Sequence, residues 1–329
     1  MESYLLIRLT SLGDIIHTLP AFAALRRHRP RARIAWIVGP GGRPILEMAR
    51  GLDEIIVLGG DGWRRRLRSE ERIALDFQGL LKSALVGRIA RARRRIGFSR
   101  PNLREPLAGL FYSDRIGPVS EDDHVIRKNL KLLQAIGIDD ETIEFPLVVP
   151  DDLVAKTRAK VEAAGFVAAD KRPILLNTGA AWTSKRWRPE KWAVVAARLK
   201  SRGLPLLLLW GNEAEKAIAD EVGRTAGVTR APFLSIPEVM ALLRTAALLV
   251  SGDTFALQAA CALSVPVVGI FGPTNPARNG PFRPEDRVAF RQLDCSLCYK
   301  RECGNLRCLD ELDPEEVASL ALERLGFRG

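Results

Sequence analysis

The chain has 329 residues, of which 47% are hydrophobic and 27% charged, a balance typical of a soluble globular protein with room for two domains. Its apolar runs fall well short of the ~18 residues of a membrane-spanning helix, and the N-terminus shows no secretory signal, so we expect a cytoplasmic protein. The net charge of +11 favours an anionic partner, although an Arg-rich solvated surface explains it equally well. Aromatic residues amount to only 6% and form no repeat with basic ones, which argues against a nucleic-acid partner.

The first half of the chain alternates short apolar runs with segments of helical periodicity. Strands are predicted at residues 4–9, 33–38, 54–58, 73–77 and 96–98, and helices at 21–27, 44–50, 80–92 and 124–136. Residues 99–119 show no regular pattern. The alternation predicts a parallel sheet with helices on both faces.

The second half repeats this alternation after Pro150, which precedes a predicted helix ending near Gly165. We place the domain boundary in that helix, which gives domains at residues 1–155 and 156–329. Strands are predicted at 174–177, 204–210, 248–251 and 267–271, and helices at 189–201, 213–223, 237–245, 255–263 and 314–325. The sequence therefore predicts two α/β domains.

The loop after the first predicted strand carries Asp14 near the start of a helix. Ligands of parallel α/β sheets bind at the carboxyl ends of the strands, which is where this loop lies. A carboxylate at a helix start is either a helix cap or a group aimed at a ligand. From these residues alone the cap is the slightly better interpretation.

Four loops of the second half also follow predicted strands and are expected at one edge of a sheet. They cover residues 178–187, 210–213, 251–254 and 271–276. Lys185 in a loop of small residues suits a phosphate, and Glu213 suits ribose hydroxyls. Asp253 and Thr254 open a helix whose N–H groups suit a phosphate, although both are also ordinary caps and Glu213 an ordinary partner of the helix dipole. Together the loops predict a nucleotide-binding cleft.

Four cysteines, Cys295, Cys298, Cys303 and Cys308, follow the spacing C-x2-C-x4-C-x4-C. In a cytosolic chain such spacing favours a tetrahedral structural zinc or iron site over free thiols or disulfides formed after purification. Cys261 stands apart and is expected to be a core thiol.

The order of these motifs resembles glycosyltransferase family 9, the ADP-heptose:lipopolysaccharide heptosyltransferases. The matching stretches are residues 10–20, 76–83, 104–107, 184–187, 211–213, 251–254 and 271–276, which span nearly the whole chain. The resemblance implies a GT-B fold, in which two Rossmann-like domains with parallel sheets face each other across a cleft. The first domain takes the acceptor and the second the nucleotide sugar. In some relatives a Cys-rich tail occurs, and a protein-heptosylating branch carries a four-Cys iron site.

The resemblance also implies roles for individual residues. Asp14 matches the general base that deprotonates the acceptor hydroxyl, and no cofactor is implied for catalysis, which inverts the anomeric centre without a metal. The implied donor-binding residues are Lys185, Glu213, Asp253, Thr254, Thr178 and Gly252. The implied acceptor-binding residues are Ser11, Gly13, His17, Gln78, Lys82 and Arg104.

The implied partners are ADP-heptose and an anionic inner-core glycolipid, which brings the protein into peripheral contact with the inner membrane leaflet. Phe255 and Gln258 stand where many relatives have glycine and histidine, which leaves the donor sugar open. The alternatives are a transferase of the same fold with another nucleotide sugar or a protein acceptor, and a non-catalytic nucleotide- or nucleic-acid-binding protein.

Overall fold

The chain divides into two compact units, Met1–Val148 and Val149–Gly329. The computed structural model describes residues 2–68, 72–168 and 171–327. The predicted boundary at residue 155 lies inside the helix Asp151–Ala163. This helix belongs wholly to the second unit and packs on the helix Ile236–Thr245 there, so the division precedes it.

A six-stranded parallel sheet forms the centre of the first unit, in the order β3-β2-β1-β4-β5-β6. Its strands are β1 (Ser3–Ile7), β2 (Arg33–Val38), β3 (Glu54–Val57), β4 (Ile73–Asp76), β5 (Arg94–Phe98) and β6 (Asp114–Ile116). Its α-helices are α1 (Leu12–His28), α2 (Arg43–Leu46), α3 (Trp63–Leu67), α4 (Leu81–Ile89) and α5 (Val125–Lys131). The order of a doubly wound sheet reverses between β1 and β4, and the crevice for a ligand lies at that reversal.

The second unit has the same architecture, with the order β12-β11-β10-β7-β8-β9. Its strands are β7 (Ile174–Asn177), β8 (Leu206–Leu209), β9 (Thr229–Arg230), β10 (Leu248–Gly252), β11 (Val267–Phe271) and β12 (Arg287–Phe290). Its α-helices are α6 (Asp151–Ala163), α7 (Pro189–Lys200), α8 (Glu213–Ala226), α9 (Ile236–Thr245), α10 (Phe255–Ala262), α11 (Pro276–Asn279), α12 (Arg307–Asp310) and α13 (Pro314–Arg324). Here the strand order reverses between β7 and β10.

The structure differs from the prediction at the first helix and at three edge or near-edge strands. Helix α1 begins at Leu12, close to Asp14, so that residues 21–27 form only its second half, and it is buried on nearly all sides between Ile15 and Leu25. A helix buried all round lacks the apolar stripe by which an amphipathic helix is recognised. Strands β6, β9 and β12 were not predicted, because short strands at a sheet edge carry polar residues and give no apolar run.

Two tryptophans fix the long loop after β7 against the core of the second unit. The rings of Trp187 and Trp192 pack edge to face with 5.5 Å between centroids. The indole N–H of Trp187 donates to the carbonyl of Leu309 at 2.9 Å. Because both rings are buried, the preceding residues, including Lys185, are held at the carboxyl edge of the sheet.

Candidate active site

Asp14 lies in the first turn of α1 and is anchored to the end of β1. One of its carboxylate oxygens is 2.9 Å from the guanidinium of Arg8, and the other accepts hydrogen bonds from the backbone N–H of Ser11 at 3.1 Å and from its hydroxyl at 3.0 Å. Ser11, not Asp14, is the N-cap residue, and Asp14 completes the capping box from the third helical position. The side chain of Asp14 is still 39% exposed, so the same carboxylate caps the helix and is accessible to solvent.

The charge state of Asp14 follows from these contacts. Desolvation raises the pKa of its carboxyl, but attraction to Arg8 and His17 and the hydrogen bonds from Ser11 outweigh it and hold the pKa below the usual range. Asp14 is therefore ionised at neutral pH. Sequence reasoning missed Arg8, which is buried and also donates to the carbonyl of Phe77. Its signal in the sequence is an arginine within the otherwise apolar run of residues 4–9.

The loop after β4 braces the loop that carries Asp14. The side-chain oxygen of Gln78 accepts from the backbone N–H of Leu9 at 2.7 Å. Gln78 is held in turn by the buried carboxylate of Asp76, which accepts its backbone N–H at 2.9 Å and the hydroxyl of Tyr112 at 2.8 Å. Burial raises the pKa of Asp76 above its usual range. Gln78 thus lies at the point where the strand order reverses, next to the Asp14 loop.

The other predicted acceptor residues divide into exposed and buried ones. Ser11, Lys82 and Arg104 are exposed, and Gly13 is half-buried. His17 is buried one turn after Asp14, where its ring packs edge to face with that of His124 at 5.8 Å between centroids. Its position suits an electrostatic effect on Asp14 better than direct contact with an acceptor.

In the second unit, a buried asparagine joins the ends of β7 and β10. The amide of Asn177 donates to the hydroxyls of Ser251 at 3.0 Å and Thr254 at 3.1 Å. Thr254 is the N-cap residue of α10, so the start of this helix is fixed at the reversal of the strand order. The hydroxyl of the neighbouring Thr178 is buried and has no hydrogen-bond partner among the residues that the structure describes. A buried hydroxyl without a partner next to a helix N-terminus is suited to an anionic ligand.

Three of the four predicted loops meet at Asp253. The ammonium of Lys185 lies 2.5 Å from a carboxylate oxygen of Asp253 and 4.4 Å from the ring centroid of Trp182. The same oxygen accepts the hydroxyl of Thr274, from the loop after β11, at 2.8 Å. Gly252 precedes this cluster at the end of β10. Lys185 is therefore positioned by a carboxylate, and the pair presents less positive charge than a lone lysine.

The fourth loop leads into a helix with two carboxylates, the predicted Glu213, which is exposed, and Glu215, which is buried. The side chain of Glu213 is 80% exposed and lies 3.1 Å from Lys216. Glu215 is buried instead, and its carboxylate accepts the backbone N–H of Gly211 at 2.8 Å. A Cβ built on Gly179 would lie 2.4 Å from the carboxyl carbon of Glu215, so this carboxylate touches the loop after β7. The signal available in the sequence was the position of Glu215, one helical turn beyond Gly211.

The two unusual residues of α10 occupy defined places. Phe255 is the first residue of the helix and is half-buried. Gln258 is buried, and its amide donates to the carbonyl of Asn279 at 2.8 Å, with the carboxylate of Asp253 at 3.5 Å. Gln258 therefore links the Asp253 cluster to α11.

The cysteine-rich segment 295–308 packs on the loop of Lys185. The hydroxyl of Ser184 donates to the carbonyl of Lys300 at 2.6 Å, and the backbone N–H of Tyr299 donates to the carbonyl of Pro273 at 2.9 Å. A Cβ on Gly272 would lie 3.1 Å from the sulfur of Cys308. The segment thus supports two of the predicted donor loops.

The four cysteines are free thiols, of which Cys308 is buried and Cys295, Cys298 and Cys303 are exposed. The pKa of Cys308 is raised, mainly by its burial and to a lesser extent by the nearby thiolates of the other three cysteines. Across residues 2–68, 72–168 and 171–327, no three His, Cys, Asp or Glu side chains are gathered closely enough to hold a metal ion. The described arrangement therefore does not fit the tetrahedral site that the spacing predicts.

Two Rossmann-like units of identical strand order, each with polar loops at its reversal, define the GT-B class of glycosyltransferase folds. The chain resembles the solved structure of Escherichia coli heptosyltransferase WaaC with ADP, with a TM-score of 0.78 and 22% identity over 98% of this chain and 99% of that one. The predicted fold is confirmed. In the described part of the chain, no helix combines the length and the hydropathy needed to cross a membrane.

The family follows from the sequence comparisons. The model of glycosyltransferase family 9 (heptosyltransferase) matches residues 63–308. Lipopolysaccharide heptosyltransferase 1 of Pseudomonas aeruginosa is 30% identical over 319 residues, which cover 91% of this chain and 86% of that protein. The enzyme of the same name from Escherichia coli K12 is 26% identical over 305 residues, covering 86% and 92%. The chain belongs to glycosyltransferase family 9.

Proposed function

We propose that this protein is an inverting, metal-independent heptosyltransferase that moves a heptose from ADP-heptose to an inner-core sugar of lipopolysaccharide. The observation that carries the proposal is Asp14, an ionised carboxylate fixed by Arg8 and Ser11 at the strand reversal of the first unit, with solvent access. An inverting transfer needs one base on the acceptor side and a site for the departing diphosphate.

On the acceptor side, Asp14 takes the proton of the attacking hydroxyl. The hydroxyl oxygen forms a bond to the anomeric carbon, and the bond from that carbon to the phosphate oxygen of ADP breaks with inversion. A carboxylate of lowered pKa is a weak base, so we expect proton transfer late, when the hydroxyl has become acidic through attack. Binding of the acceptor is proposed for Ser11, Gly13, Gln78, Lys82 and Arg104, and an electrostatic effect on Asp14 for the buried His17.

On the donor side, the N-terminus of α10 and Lys185 stabilise the charge that develops on the diphosphate. Thr178, Gly252 and Thr254 complete this phosphate site, and Asp253 positions Lys185. These residues would replace the metal ion that other transferases use to neutralise a diphosphate.

For the ribose of the nucleotide we propose Glu215 as a second candidate beside Glu213. Glu215 is buried at the junction of two donor loops, whereas Glu213 is exposed and pairs with Lys216. An acidic residue at this edge of a Rossmann-like unit is suited to ribose hydroxyls.

A second candidate function is transfer from another nucleotide sugar, or to a protein acceptor. It is favoured by Phe255, whose ring stands at the first position of α10, and by Gln258, which is engaged with Asn279. Both shape the place where the donor sugar would lie.

The predicted structural zinc or iron site at Cys295, Cys298, Cys303 and Cys308 stays a prediction. It rests on the spacing of these residues alone, since the described side chains are not gathered closely enough to hold a metal ion. Metal analysis of protein prepared under reducing conditions tests this site. The control is the variant in which all four of these cysteines are replaced by serine. A metal content equal in the two proteins would contradict it.

Calorimetry with ADP, UDP and GDP, followed by turnover of ADP-heptose, tests the donor assignment. We expect a preference for ADP, and a marked loss of affinity in Lys185→Ala but not in the exposed control Lys156→Ala. A preference for UDP or GDP would discard the heptose donor while keeping the fold. Binding of ADP without turnover of any nucleotide sugar would favour a non-catalytic protein.

A further inference from the structure

Arg301 belongs to the cysteine-rich segment 295–308 and lies outside the four loops proposed to bind the donor. Its guanidinium carbon is 5.6 Å from the ring centroid of Trp182, and the ammonium of Lys185 is 4.4 Å from the same centroid. The face of an indole ring attracts cations. The fold therefore gathers two cations from distant parts of the chain at one half-buried aromatic ring, beside the proposed phosphate site.

The backbone of Arg301 is fixed to the loop that carries Lys185. Its carbonyl accepts the backbone N–H of Ser184 at 3.2 Å and the hydroxyl of Thr183 at 3.2 Å. Ser184 is buried and directly precedes Lys185 in the chain. Because one of these contacts joins main chain to main chain, the two basic side chains start from a fixed separation.

Two residues shortly before Arg301 adopt a backbone conformation that most side chains disfavour. The φ angles of Leu297 and Tyr299 are 59° and 52°, in the left-handed region that residues other than glycine rarely occupy. Such a conformation persists where the surrounding contacts impose it, and it is common at functional sites. The backbone N–H of Tyr299 donates to the carbonyl of Pro273 at 2.9 Å, and its hydroxyl accepts the backbone N–H of Asn275 at 3.3 Å. The loop after β11 thus holds the segment in the path that leads to Arg301.

The charge of Arg301 is not neutralised within the fold. The residue is exposed, and its guanidinium forms neither a hydrogen bond nor an ion pair with any described residue. Nearby arginines differ in this respect. The guanidinium of Arg186 donates to a backbone carbonyl of its own loop at 2.8 Å, and that of Arg307 donates to the carboxylate of Glu311 at 2.8 Å. Arg301 is therefore able to bind an anionic ligand without first breaking an ion pair.

The proposed phosphate site has little positive charge without Arg301. Lys185 lies against the carboxylate of Asp253, so this pair has no net charge when both groups are ionised. The site then has only the partial charge at the N-terminus of α10. The diphosphate of a nucleotide sugar is anionic, and its charge grows as the bond to the sugar breaks. A guanidinium binds phosphate oxygens through two parallel hydrogen bonds, which suits a residue at this place.

We propose that Arg301 is a further donor-binding residue, whose guanidinium contacts the diphosphate of the nucleotide sugar together with Lys185. Trp182 is the positioning residue that holds both cations at the site. When the bond from the anomeric carbon to the phosphate oxygen breaks, its electron pair passes to that oxygen, and the guanidinium stabilises the charge. The inference rests on the proposed function, because it adds a residue to the same donor site.

The test is calorimetry of ADP binding to the full chain, with Arg301→Gln compared with the wild type. We expect the affinity for ADP to fall by about tenfold or more, because a charge-assisted contact is lost. Arg301→Lys keeps the charge and should retain part of the affinity. Arg307→Gln is the matched control, since it removes an exposed arginine of the same segment that is paired with Glu311, and it should bind ADP as the wild type does.

A second pair of variants tests the role of Trp182. Trp182→Leu should weaken ADP binding, because the ring that holds both cations is lost, whereas Trp182→Phe keeps an aromatic face and should restore most of the affinity. Equal affinities of the leucine and phenylalanine variants would overturn the positioning role. Circular dichroism and melting temperature establish that each variant is folded.

The contribution of Arg301 is overturned if Arg301→Gln binds ADP as tightly as the wild type, or if Arg307→Gln loses as much affinity as Arg301→Gln. Turnover of ADP-heptose by the wild type separates this inference from the proposed function. Turnover combined with unchanged ADP binding in Arg301→Gln would overturn the inference and leave the function intact. Loss of ADP binding in Arg301→Gln without any turnover by the wild type would contradict the function and keep Arg301 as a contact for a nucleoside diphosphate.

Discussion

Replacing Arg8 with methionine removes the cation that lies 2.9 Å from the carboxylate of Asp14. The pKa of Asp14 is then expected to rise, because desolvation already pushes it upward and Arg8 is the strongest opposing influence. Two charges at this distance attract by ~6 kcal/mol at an effective dielectric constant of about 20. Since the side chain of Asp14 is 39% exposed, solvent screens much of this attraction.

Aspartates beside an arginine have pKa values lowered by about 1 to 3 units. The pKa of Asp14 should therefore rise in Arg8→Met, because desolvation then acts against a weaker attraction. The assay is the pH dependence of kcat/KM, whose acid limb reports protonation of the free base. The limb should move to higher pH in Arg8→Met, while activity at neutral pH is retained because Asp14 remains ionised there.

Arg8→Lys is the matched control, since it keeps a cation near Asp14 and should keep the limb near its wild-type position. The methionine variant also leaves the carbonyl of Phe77 without its donor, which costs about 1 to 3 kcal/mol of stability, so rates are normalised to the folded fraction. An unchanged acid limb in Arg8→Met, with the protein folded, would refute the assignment of Asp14 as the base controlled by Arg8.

Three further outcomes are expected. Asp253→Asn should weaken ADP binding in calorimetry by several-fold, because Lys185 loses the partner that positions it, whereas tighter binding would mean that the carboxylate repels the diphosphate. Glu215→Gln should weaken ADP binding and Glu213→Gln should not, and the reverse result would restore the role to Glu213. Burial raises the pKa of Asp140, but its hydrogen-bonding partners, Arg27 and His28 among them, outweigh burial and lower this pKa. The ionised carboxylate therefore stabilises the folded protein above the pKa that Asp140 has in the unfolded chain, and this stabilisation is lost as the pH falls through its pKa in the folded protein. Asp140→Asn should therefore reduce the free energy of unfolding by about 1 to 2 kcal/mol at neutral pH and much less in acid, as urea titration would show, and an equal loss at both would contradict this.

The parallel sheets could be predicted because their central strands are buried on both faces and read as continuous apolar runs. The run of four leucines in β8 and the sequence of β11 have this form. The loops with chemistry were found for the same reason, since each one follows such a strand. Asp253 and Lys185 lie far apart in sequence, yet the sheet topology alone predicts them at the same edge.

What could not be predicted depends on contacts between distant side chains. Arg8 reads as an irregularity within an apolar run until the fold places Asp14 beside it. Glu213 and Glu215 are both acidic and close in sequence, and the position of Glu215 one turn beyond Gly211 gains its meaning from the close approach of Gly179 in the fold. The role of the cysteine-rich segment as a support for the loop of Lys185 rests on backbone carbonyls, which carry no residue-specific signal.

The central claim is that Asp14 removes the acceptor proton and that the second unit binds the donor without it. The most direct test compares the wild type with Asp14→Asn, measuring turnover of ADP-heptose with an inner-core acceptor and ADP binding on the same preparations. The account predicts a loss of at least about 100-fold in kcat for the variant with an almost unchanged Kd for ADP, because general-base catalysis contributes about 10² to 10⁴. Turnover within a few-fold of the wild type, or a parallel loss of ADP binding, would contradict it.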